Sequence, residues 1–348
     1  MPAEPPGAPT DSPAAGNRAA LEAARKLAER VCAGERAAIS QALNAVDDNR
    51  ESHRETRLAL LDAVAPHARG VRIGVTGAPG AGKSTLLDAL VSGLRARGRS
   101  VGVLAVDPSS QRTGGALLGD RMRLSSTARD AGVFLRSLAA RDQLGGLSEV
   151  TGPSLDVMAA ALDYVFVETV GVGQSEAQVI DVVDTLVFVA QPAAGDLIQF
   201  MKAGILEWPD VFFVNKSDLG DVATRAAAEL RAGLDLGHRR DPDRVPPVLR
   251  GSARDDLGID GLIDALDEHT AYLAGKGDDG ARRQEGRVAR VEHALSARYG
   301  RFGLDQLRGG SLASRVRDAG AVSVERIVYD LGREIEAALR AGGSTGGA

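Results

Sequence analysis

Short apolar runs alternate with amphipathic stretches through the middle of the chain. Each run is rich in β-branched residues and has the length of a strand, which predicts strands buried on both faces. Segments with helical spacing of apolar residues, such as Val222–Leu234 and Ile259–Leu273, separate the later runs. This alternation predicts an α/β fold with a doubly wound, mostly parallel sheet. The predicted strands are Val71–Thr76, Val101–Asp107, Val133–Leu138, Tyr164–Val170, Thr185–Ala190, Val211–Val214 and Pro247–Leu249.

The two ends of the chain differ from the middle, because they have long helical patterns and no strand-like runs. A break near Gly34 divides the first pattern, and residues 278–280 look like a linker before the last one. Both ends carry an apolar stripe, so we expect them to pack together or against a second subunit. The predicted units are a disordered tail (1–17), a helical N-terminal arm (18–66), the α/β domain (67–277), a helical C-terminal dimerisation arm (278–341) and a flexible tail (342–348).

Composition narrows the class of protein. The net charge of −5 gives no general attraction to nucleic acid, and the arginines of the C-terminal arm are interpreted as a solvated helix face. A single cysteine, Cys32, excludes a disulfide framework and a cysteine-based metal cluster, which suits a reducing cytosol. No apolar run approaches the ~18–20 residues of a membrane span, and no signal peptide follows Met1. We therefore predict a cytoplasmic protein without nucleic-acid or membrane partners.

A glycine-rich loop follows the first predicted strand and precedes a helical pattern. Strand, loop and helix form the arrangement that cradles phosphate groups through backbone N–H groups and the helix N-terminus. In this motif Lys83 would reach the β- and γ-phosphates, and the Ser84 hydroxyl would bind Mg²⁺. The alternative is a chance glycine-rich turn, which the flanking elements argue against. The sequence of the loop is Gly77-Ala78-Pro79-Gly80-Ala81-Gly82-Lys83-Ser84.

A second motif, Asn215-Lys216-Ser217-Asp218, directly follows a predicted strand. The Asp218 carboxylate can accept hydrogen bonds from the N1–H and the exocyclic amine of guanine, whereas adenine lacks the N1 proton. Lys216 would lie over the base or brace the phosphate loop, and Asn215 would bridge loops. Ser252-Ala253 would supply a backbone contact to the guanine oxygen. The order and position of the two motifs predict a guanine nucleotide as ligand.

Between these motifs, Glu168 ends a predicted strand and is followed by Gly171. The Glu168 carboxylate can hold Mg²⁺ through water, and the N–H of Gly171 can meet the γ-phosphate. A capped strand end is the alternative interpretation. Asp107 ends the neighbouring strand and is a second candidate for the metal or for the attacking water.

The residue after Gly171 also bears on the reaction. Small Ras-like GTPases place a water-orienting glutamine directly after the corresponding glycine. Val172 stands there in this chain and cannot orient water, and Gln174 comes two residues too late. We therefore expect slow intrinsic hydrolysis that a partner or another loop accelerates.

Taken together, these motifs resemble those of the MeaB/ArgK family, GTPases associated with methylmalonyl-CoA mutase. The string from Glu168 to Glu176 is the most specific of them, and the resemblance covers about residues 20–340. It implies a homodimeric chaperone that binds GTP or GDP with Mg²⁺, gates the delivery of adenosylcobalamin to an acyl-CoA mutase, and protects the cofactor there. Other segments that match are Gly77–Thr85, Asp107–Ser110, Thr113–Gly115, Leu118–Arg121, Gly145–Ser148, Gln199, Lys202–Ile205 and Asn215–Asp218.

The resemblance also assigns roles by position. It places Asp107 and the metal candidate Asp120 in a first switch and Glu168 in a second. Gln199 and Lys202 would belong to a third mobile loop, about residues 191–202, that communicates with the mutase and reaches toward the nucleotide. Lys83, Asp107, Glu168, Gln199 and Lys202 are thus the catalytic candidates, and Thr85 joins the nucleotide contacts.

Two departures from the family pattern lie in Glu207–Asp210 and in Glu149–Leu162, and they leave open which mutase is served. Three alternatives belong to other functional classes. A nickel-inserting GTPase of the same fold needs Cys or His ligands, and this chain has one cysteine and five dispersed histidines. A P-loop kinase would transfer the phosphoryl group to an acceptor rather than to water. A targeting GTPase of the signal-recognition kind needs a Met-rich groove, for which four methionines are too few.

Overall fold

The structure is a computed structural model. It describes residues 13–107, 130–139, 148–169, 178–192, 205–236 and 239–343. These residues form seven strands and ten α-helices. The strands are β1 (Val71–Thr76), β2 (Val101–Asp107), β3 (Val133–Ala139), β4 (Tyr164–Glu168), β5 (Thr185–Ala190), β6 (Val211–Val214) and β7 (Val248–Arg250). The helices are α1 (Pro13–Cys32), α2 (Arg36–Asp47), α3 (Arg54–Val64), α4 (Lys83–Ala96), α5 (Thr151–Ala161), α6 (Asp221–Leu236), α7 (Ile259–Lys276), α8 (Asp278–Leu304), α9 (Leu312–Asp318) and α10 (Val324–Gly343).

The seven strands form one sheet in the order β3-β2-β4-β1-β5-β6-β7, and every pair is parallel. The predicted α/β fold with a doubly wound parallel sheet is confirmed. The strand β1 lies at the centre, between β4 and β5. Because the order changes direction at β1, the loops at the carboxyl ends of these strands diverge and leave a crevice for a ligand.

Helices cover both faces of the sheet. Alternate residues of β5 show the division, since Leu186 and Phe188 face one layer and Val187 and Val189 face the other. Helices α4 and α7 pack on the second face. The first face carries α5 and α6, and the N-terminal helices α1, α2 and α3 share its core. The N-terminal arm is therefore part of the sheet's cover, because its apolar stripe is buried in the same core.

Several boundaries differ from the sequence prediction. The linker predicted at 278–280 is wrong, because Gly277 with φ of 73° alone separates α7 from α8. Helix α1 begins at Pro13, inside the predicted tail 1–17, and α10 extends to Gly343. Helix α5 is an addition to the helices named from the sequence, and Gly152 and Pro153 lie in its first turn. Proline is tolerated in the first turn because its missing N–H would have no partner there.

The two chain ends pack together within one protomer. Asp62 of α3 accepts hydrogen bonds from Ser323 Oγ at 2.7 Å and from Arg326 Nε at 2.9 Å. Helices α8, α9 and α10 enclose an apolar cluster of their own that includes Val291, Leu295 and Ile335. The sequence predicted that the N- and C-terminal arms pack either together or against a second subunit. Within the protomer, they pack together. In the described part of the chain, no helix is long and apolar enough to cross a membrane.

Helix α8 is tied to the amino edge of the sheet by a buried ion pair. The Asp184 carboxylate, just before β5, accepts hydrogen bonds from Arg283 Nε and from a terminal guanidinium nitrogen of Arg283, both at 2.7 Å. The backbone N–H of Arg72 in β1 donates to it at 3.0 Å. Burial alone raises the pKa of Asp184, but the hydrogen bonds and charge of Arg283 outweigh burial and hold it below the ordinary value.

Replacing Asp184 with asparagine is expected to lower the free energy of unfolding by about 3–5 kcal/mol at pH 7, because it leaves the Arg283 guanidinium partly unpaired. A carboxyl group with a lowered folded pKa stabilises the fold above its unfolded pKa and loses that contribution as the pH falls through the folded value. The difference in the free energy of unfolding between the Asp184→Asn variant and the wild type should therefore shrink toward pH 2. Urea unfolding at both pH values measures it.

The matched control is Asp264→Asn, which removes the exposed partner of Arg97 and should change stability by less than about 1 kcal/mol. Equal losses in the two variants at pH 7 would contradict the role given to the Asp184 pair.

Candidate nucleotide site

The glycine-rich loop joins the carboxyl end of β1 to the first turn of α4, as predicted. Two of its glycines have no room for a side chain. A Cβ on Gly77, whose φ is +143°, would lie 2.2 Å from the carbonyl oxygen of Val189. A Cβ on Gly82, whose φ is +90°, would lie 2.5 Å from Asn215 Nδ2. The loop therefore presses against the ends of β5 and β6, and only glycine satisfies both the backbone conformation and the space.

Lys83, the first residue of α4, is buried beneath this loop. Its Nζ donates to the carbonyl oxygens of Gly77 at 2.8 Å and Ala78 at 3.2 Å. These bonds hold the ammonium group against the backbone of the loop. A cation at this point, beside the N-terminus of a helix, is suited to attract phosphate oxygens.

Ser84 and Glu168 meet at the neighbouring strand end. The Ser84 hydroxyl donates to Glu168 Oε1 at 2.7 Å, and the two residues come from α4 and β4. The Thr169 hydroxyl lies 3.3 Å from the Thr76 hydroxyl, which links the carboxyl ends of β4 and β1. A hydroxyl and a carboxylate are the oxygen ligands that Mg²⁺ takes in such sites, so the donor set fits the predicted metal.

The other predicted switch residue within the described part of the chain is Asp107. Asp107 ends β2, and the register pairs Ala105 of this strand with Glu168, so the Asp107 backbone lies at the same edge of the sheet. Outside the described residues lie the other predicted members of the switches and of the third loop, namely Asp120, Gly171, Val172, Gln174, Gln199 and Lys202.

The base-recognition motif follows β6 and braces the phosphate loop. Asn215 Nδ2 donates to the carbonyl oxygen of Ala81 at 2.9 Å, and its Oδ1 accepts from the N–H of Ala253 at 3.0 Å. Lys216 Nζ donates to the carbonyl oxygen of Gly80 at 2.8 Å. Asn215 thus bridges two loops, and Lys216 takes the bracing position of its two predicted alternatives. The φ of Lys216 is +58°, a strained value that such a site tolerates.

Asp218 lies beside the loop that follows β7. Its Oδ1 is 3.3 Å from the Ser252 hydroxyl, and its Oδ2 is 3.3 Å from a guanidinium nitrogen of Arg254. The Ser252 hydroxyl also donates to Asp255 Oδ2 at 2.6 Å. The hydrogen bond from Ser252, followed by that from Arg254, lowers the pKa of Asp255. The structure therefore brings Asp218, Ser252 and Ala253 together, as the sequence predicted.

Arg254 and Asp255 were missed by the sequence analysis. Both lie next to Ser252-Ala253, and a charged pair directly after that dipeptide was the available signal. Arg254 contacts both carboxylates, at 3.3 Å from Asp218 and 3.2 Å from Asp255. The described residues thus gather the phosphate loop, a hydroxyl–carboxylate pair and the predicted base-recognition residues at one edge of the sheet.

Replacing Ser84 with alanine is expected to remove the Mg²⁺ dependence of GTP binding, because the hydroxyl that would bind the ion is lost. In the wild type, adding Mg²⁺ should slow dissociation of a fluorescent GTP analogue about tenfold or more, and in the variant by less than about twofold. Stopped-flow dissociation with and without Mg²⁺ measures both. Ser92→Ala, an exposed position on the same helix, is the control and should behave as the wild type. An unchanged Mg²⁺ effect in Ser84→Ala would contradict the assignment.

Comparison with known proteins agrees with this geometry. The family described as "Methylmalonyl Co-A mutase-associated GTPase MeaB" matches residues 39–299. A putative GTPase of Pyrococcus abyssi is 41% identical over 273 residues, which are 78% of this chain and 82% of that protein. The GTPase ArgK of Escherichia coli is 38% identical and covers 75% of this chain and 79% of its own length.

A solved structure titled "LAO/AO transport system kinase" superposes with a TM-score of 0.64 at 28% sequence identity, over 92% of this chain and 99% of that one. The family match includes the phosphate loop, the hydroxyl–carboxylate pair and the base-recognition motif. The chain binds guanine nucleotide and hydrolyses GTP, and it belongs to the MeaB family of methylmalonyl-CoA mutase-associated GTPases.

Proposed function

We propose that this GTPase is a chaperone that gates the loading of adenosylcobalamin into methylmalonyl-CoA mutase, or a related acyl-CoA mutase, and protects the cofactor there. The observation that carries the proposal is the match to a family over residues 39–299, because the name of that family associates its members with the mutase. The nucleotide site is consistent with a switch, since its phosphate loop is joined to the central strand of a seven-stranded parallel sheet. Residues 193–204, which include the candidates for coupling, lie outside the described residues.

Each part of the site has a proposed role toward GTP. Lys83 and the backbone of residues 77–85 hold the phosphates, and Asp218 accepts the hydrogen bonds of guanine. Ser84 and Glu168, with Asp107 and Asp120, hold Mg²⁺, which supplies positive charge to the phosphate oxygens when bound. The 2.7 Å contact between Ser84 and Glu168 supports this donor set.

We propose that the intrinsic rate is slow and that the mutase raises it. Val172 stands where Ras-like GTPases have a water-orienting glutamine. Asp107, Gln199 and Lys202 are the candidates for acting on the attacking water. Residues supplied by a loop that moves on contact with a partner would link hydrolysis to the state of the mutase.

The test is GTP turnover by the purified protein with and without adenosylcobalamin-dependent acyl-CoA mutases. A cognate mutase should raise kcat by about tenfold or more, as partner contacts do for other GTPases. An acyl-CoA enzyme that uses no cobalamin is the control and should have no effect. Failure of every mutase to stimulate turnover would refute the chaperone role and leave the GTPase activity standing.

A second candidate is kinase activity, because a structurally similar protein is titled a transport-system kinase. Transfer of the labelled γ-phosphate of GTP to a protein or small-molecule acceptor would favour it, and release of inorganic phosphate alone would exclude it.

Metal insertion has less support. In the described ranges, no group of three or more His, Cys, Asp or Glu side chains is arranged to hold a metal ion.

The proposal includes a cytoplasmic homodimer. The apolar cluster of α8, α9 and α10 is filled within one protomer, so a second subunit would pair on the outer surface of these helices. Phe302, which is 70% exposed on α8, is a candidate contact. Sedimentation equilibrium of the wild type and of Phe302→Ser tests the dimer, and a wild-type monomer at all concentrations would refute it.

A further inference from the structure

A cavity of about 200 Å³ lies at the amino edge of the sheet, at the opposite end of β1 from the phosphate loop. It is bounded by the amino end of β1, by residues 181–184 before β5, by the segment after α3, by α5, by α8 and by the start of α10. Six guanidinium groups line it, those of Arg69, Arg72, Arg282, Arg283, Arg287 and Arg290. None of them takes part in the nucleotide site described above.

The carboxylates of the wall only partly balance these charges. Asp184 pairs with Arg283 at 2.7 Å, and Asp156 is shared by Arg72 at 2.9 Å and Arg290 at 3.3 Å. Asp181 is the third carboxylate of the lining. Behind the wall, Asp210 pairs with Arg282, and Glu325 pairs with Arg290. The guanidinium groups still outnumber these carboxylates.

Two of the arginines form no close ion pair, although Asp156 and Glu325 attract Arg287 over a longer distance. Within the part of the chain that the structure describes, neither Arg69 nor Arg287 has a carboxylate oxygen within 4 Å. One terminal nitrogen of Arg287 donates to the carbonyl oxygen of Gly320 at 2.9 Å. The surplus positive charge of the cavity therefore lies on its α8 wall and on the segment that leads into β1.

Two buried donors are also unpaired. Arg72 Nε and Arg287 Nε are shielded from solvent and donate to no atom among the described residues. The Arg72 side chain is only 10% exposed. Buried charged groups in native structures are almost always compensated, so two guanidinium groups with an unsatisfied Nε beside one cavity favour a negatively charged ligand. Because the Nε atoms themselves are closed to solvent, such a ligand would contact the outer guanidinium nitrogens.

We propose that this cavity binds a small phosphate-type dianion, either inorganic phosphate or the phosphate group of a small monoester. The volume is below the ~300–1,000 Å³ typical of sites for larger organic ligands, which favours a small anion over a nucleotide. The planar guanidinium fork matches the spacing of phosphate oxygens, and several forks around one cavity favour a doubly charged ligand. The bound anion would join Arg72 of β1 to Arg287 of α8 and so fasten the C-terminal helices to the sheet. This inference is independent of the proposed function.

The site is tested by calorimetric titration of the full chain with inorganic phosphate at constant ionic strength. A non-hydrolysable GTP analogue with Mg²⁺ saturates the phosphate loop first, so that phosphate bound there does not contribute. Glycerol phosphate in a parallel titration distinguishes a monoester from free phosphate, and chloride is the control for ionic strength. We expect one phosphate or one monoester to bind per chain, and the better ligand to raise the Tm by about 2 °C or more at 10 mM.

Arg287→Gln is expected to weaken binding about tenfold or more, because it removes a charged donor to the anion. Arg298→Gln is the matched control, since Arg298 lies on the same helix and pairs with Glu336 away from the cavity. Arg69→Gln, at an exposed position, should also weaken binding and replaces Arg287→Gln if that variant does not fold. The proposal is overturned if neither phosphate nor glycerol phosphate binds at 10 mM, or if the cavity variants bind as tightly as Arg298→Gln.

Discussion

Replacing Lys83 with alanine is expected to lower kcat for GTP hydrolysis about 10²–10³-fold, the loss typical of removing one preorganised donor to a developing negative charge. The Lys83 ammonium is buried against the carbonyl oxygens of Gly77 and Ala78, so it is fixed before the nucleotide arrives. A cation held in this way costs no reorganisation when charge moves toward the β–γ bridge. The affinity for GTP should fall as well, because the same group contacts the phosphates of bound GTP.

Single-turnover hydrolysis separates the chemical step from binding. Lys26→Ala is the control, since Lys26 is exposed on α1 and its removal should leave kcat unchanged. A melting curve shows whether loss of the two loop contacts unfolds the variant. Hydrolysis by a folded Lys83→Ala protein at the wild-type rate would contradict the assignment of the phosphate loop.

Replacing Asp218 with asparagine is expected to weaken GTP binding about 10²–10⁴-fold. The carboxylate would accept two hydrogen bonds from guanine, and hydrogen bonds to a charged group contribute about 1.5–3 kcal/mol each. An asparagine amide places a donor where one acceptor stood and opposes one N–H of guanine. It suits xanthine, whose C2 carbonyl replaces the exocyclic amine, so the variant should prefer the xanthine nucleotide.

Competition of GTP, ATP and xanthosine triphosphate for the variant measures this change. Asp255→Asn is a close control because Asp255 also contacts Ser252 and Arg254 but has no proposed contact with the base. It should keep the preference for guanine. An Asp218→Asn protein that binds GTP as tightly as wild type would show that another group reads the base.

The phosphate and base motifs could be recognised in the sequence because each consists of residues that are neighbours in the chain. A strand, a glycine-rich loop and a helix N-terminus are local features, and so is the polar motif that follows β6. Their meeting at one edge followed from the parallel sheet, since the carboxyl ends of parallel strands lie on the same side. For this reason, the positions of Lys83, Ser84, Glu168 and Asp218 were predictable before the structure was known.

Other contacts depend on which residues the fold brings together over long distances. The sequence shows the charged pair Arg254-Asp255 directly after Ser252-Ala253, but it does not show that Arg254 reaches Asp218, because an arginine next to a loop is usually solvated. Helix α5 was not among the helices named from the sequence, and it carries a glycine and a proline in its first turn. A Cβ on Gly152 would lie 2.4 Å from the Arg290 guanidinium, so only the packed structure explains the glycine.

The arginines of α8 show most clearly what the sequence predicts and what only the fold decides. In the sequence, they form a basic stretch that is typical of a solvated helix face. In the structure, several of them turn inward to the buried carboxylates Asp156, Asp184 and Asp210 at the amino edge of the sheet. Periodicity and local motifs thus determined the α/β fold, the guanine nucleotide and the family of this protein. The tertiary structure alone decided which charges are buried and paired, because that depends on residues about a hundred positions apart meeting in one place.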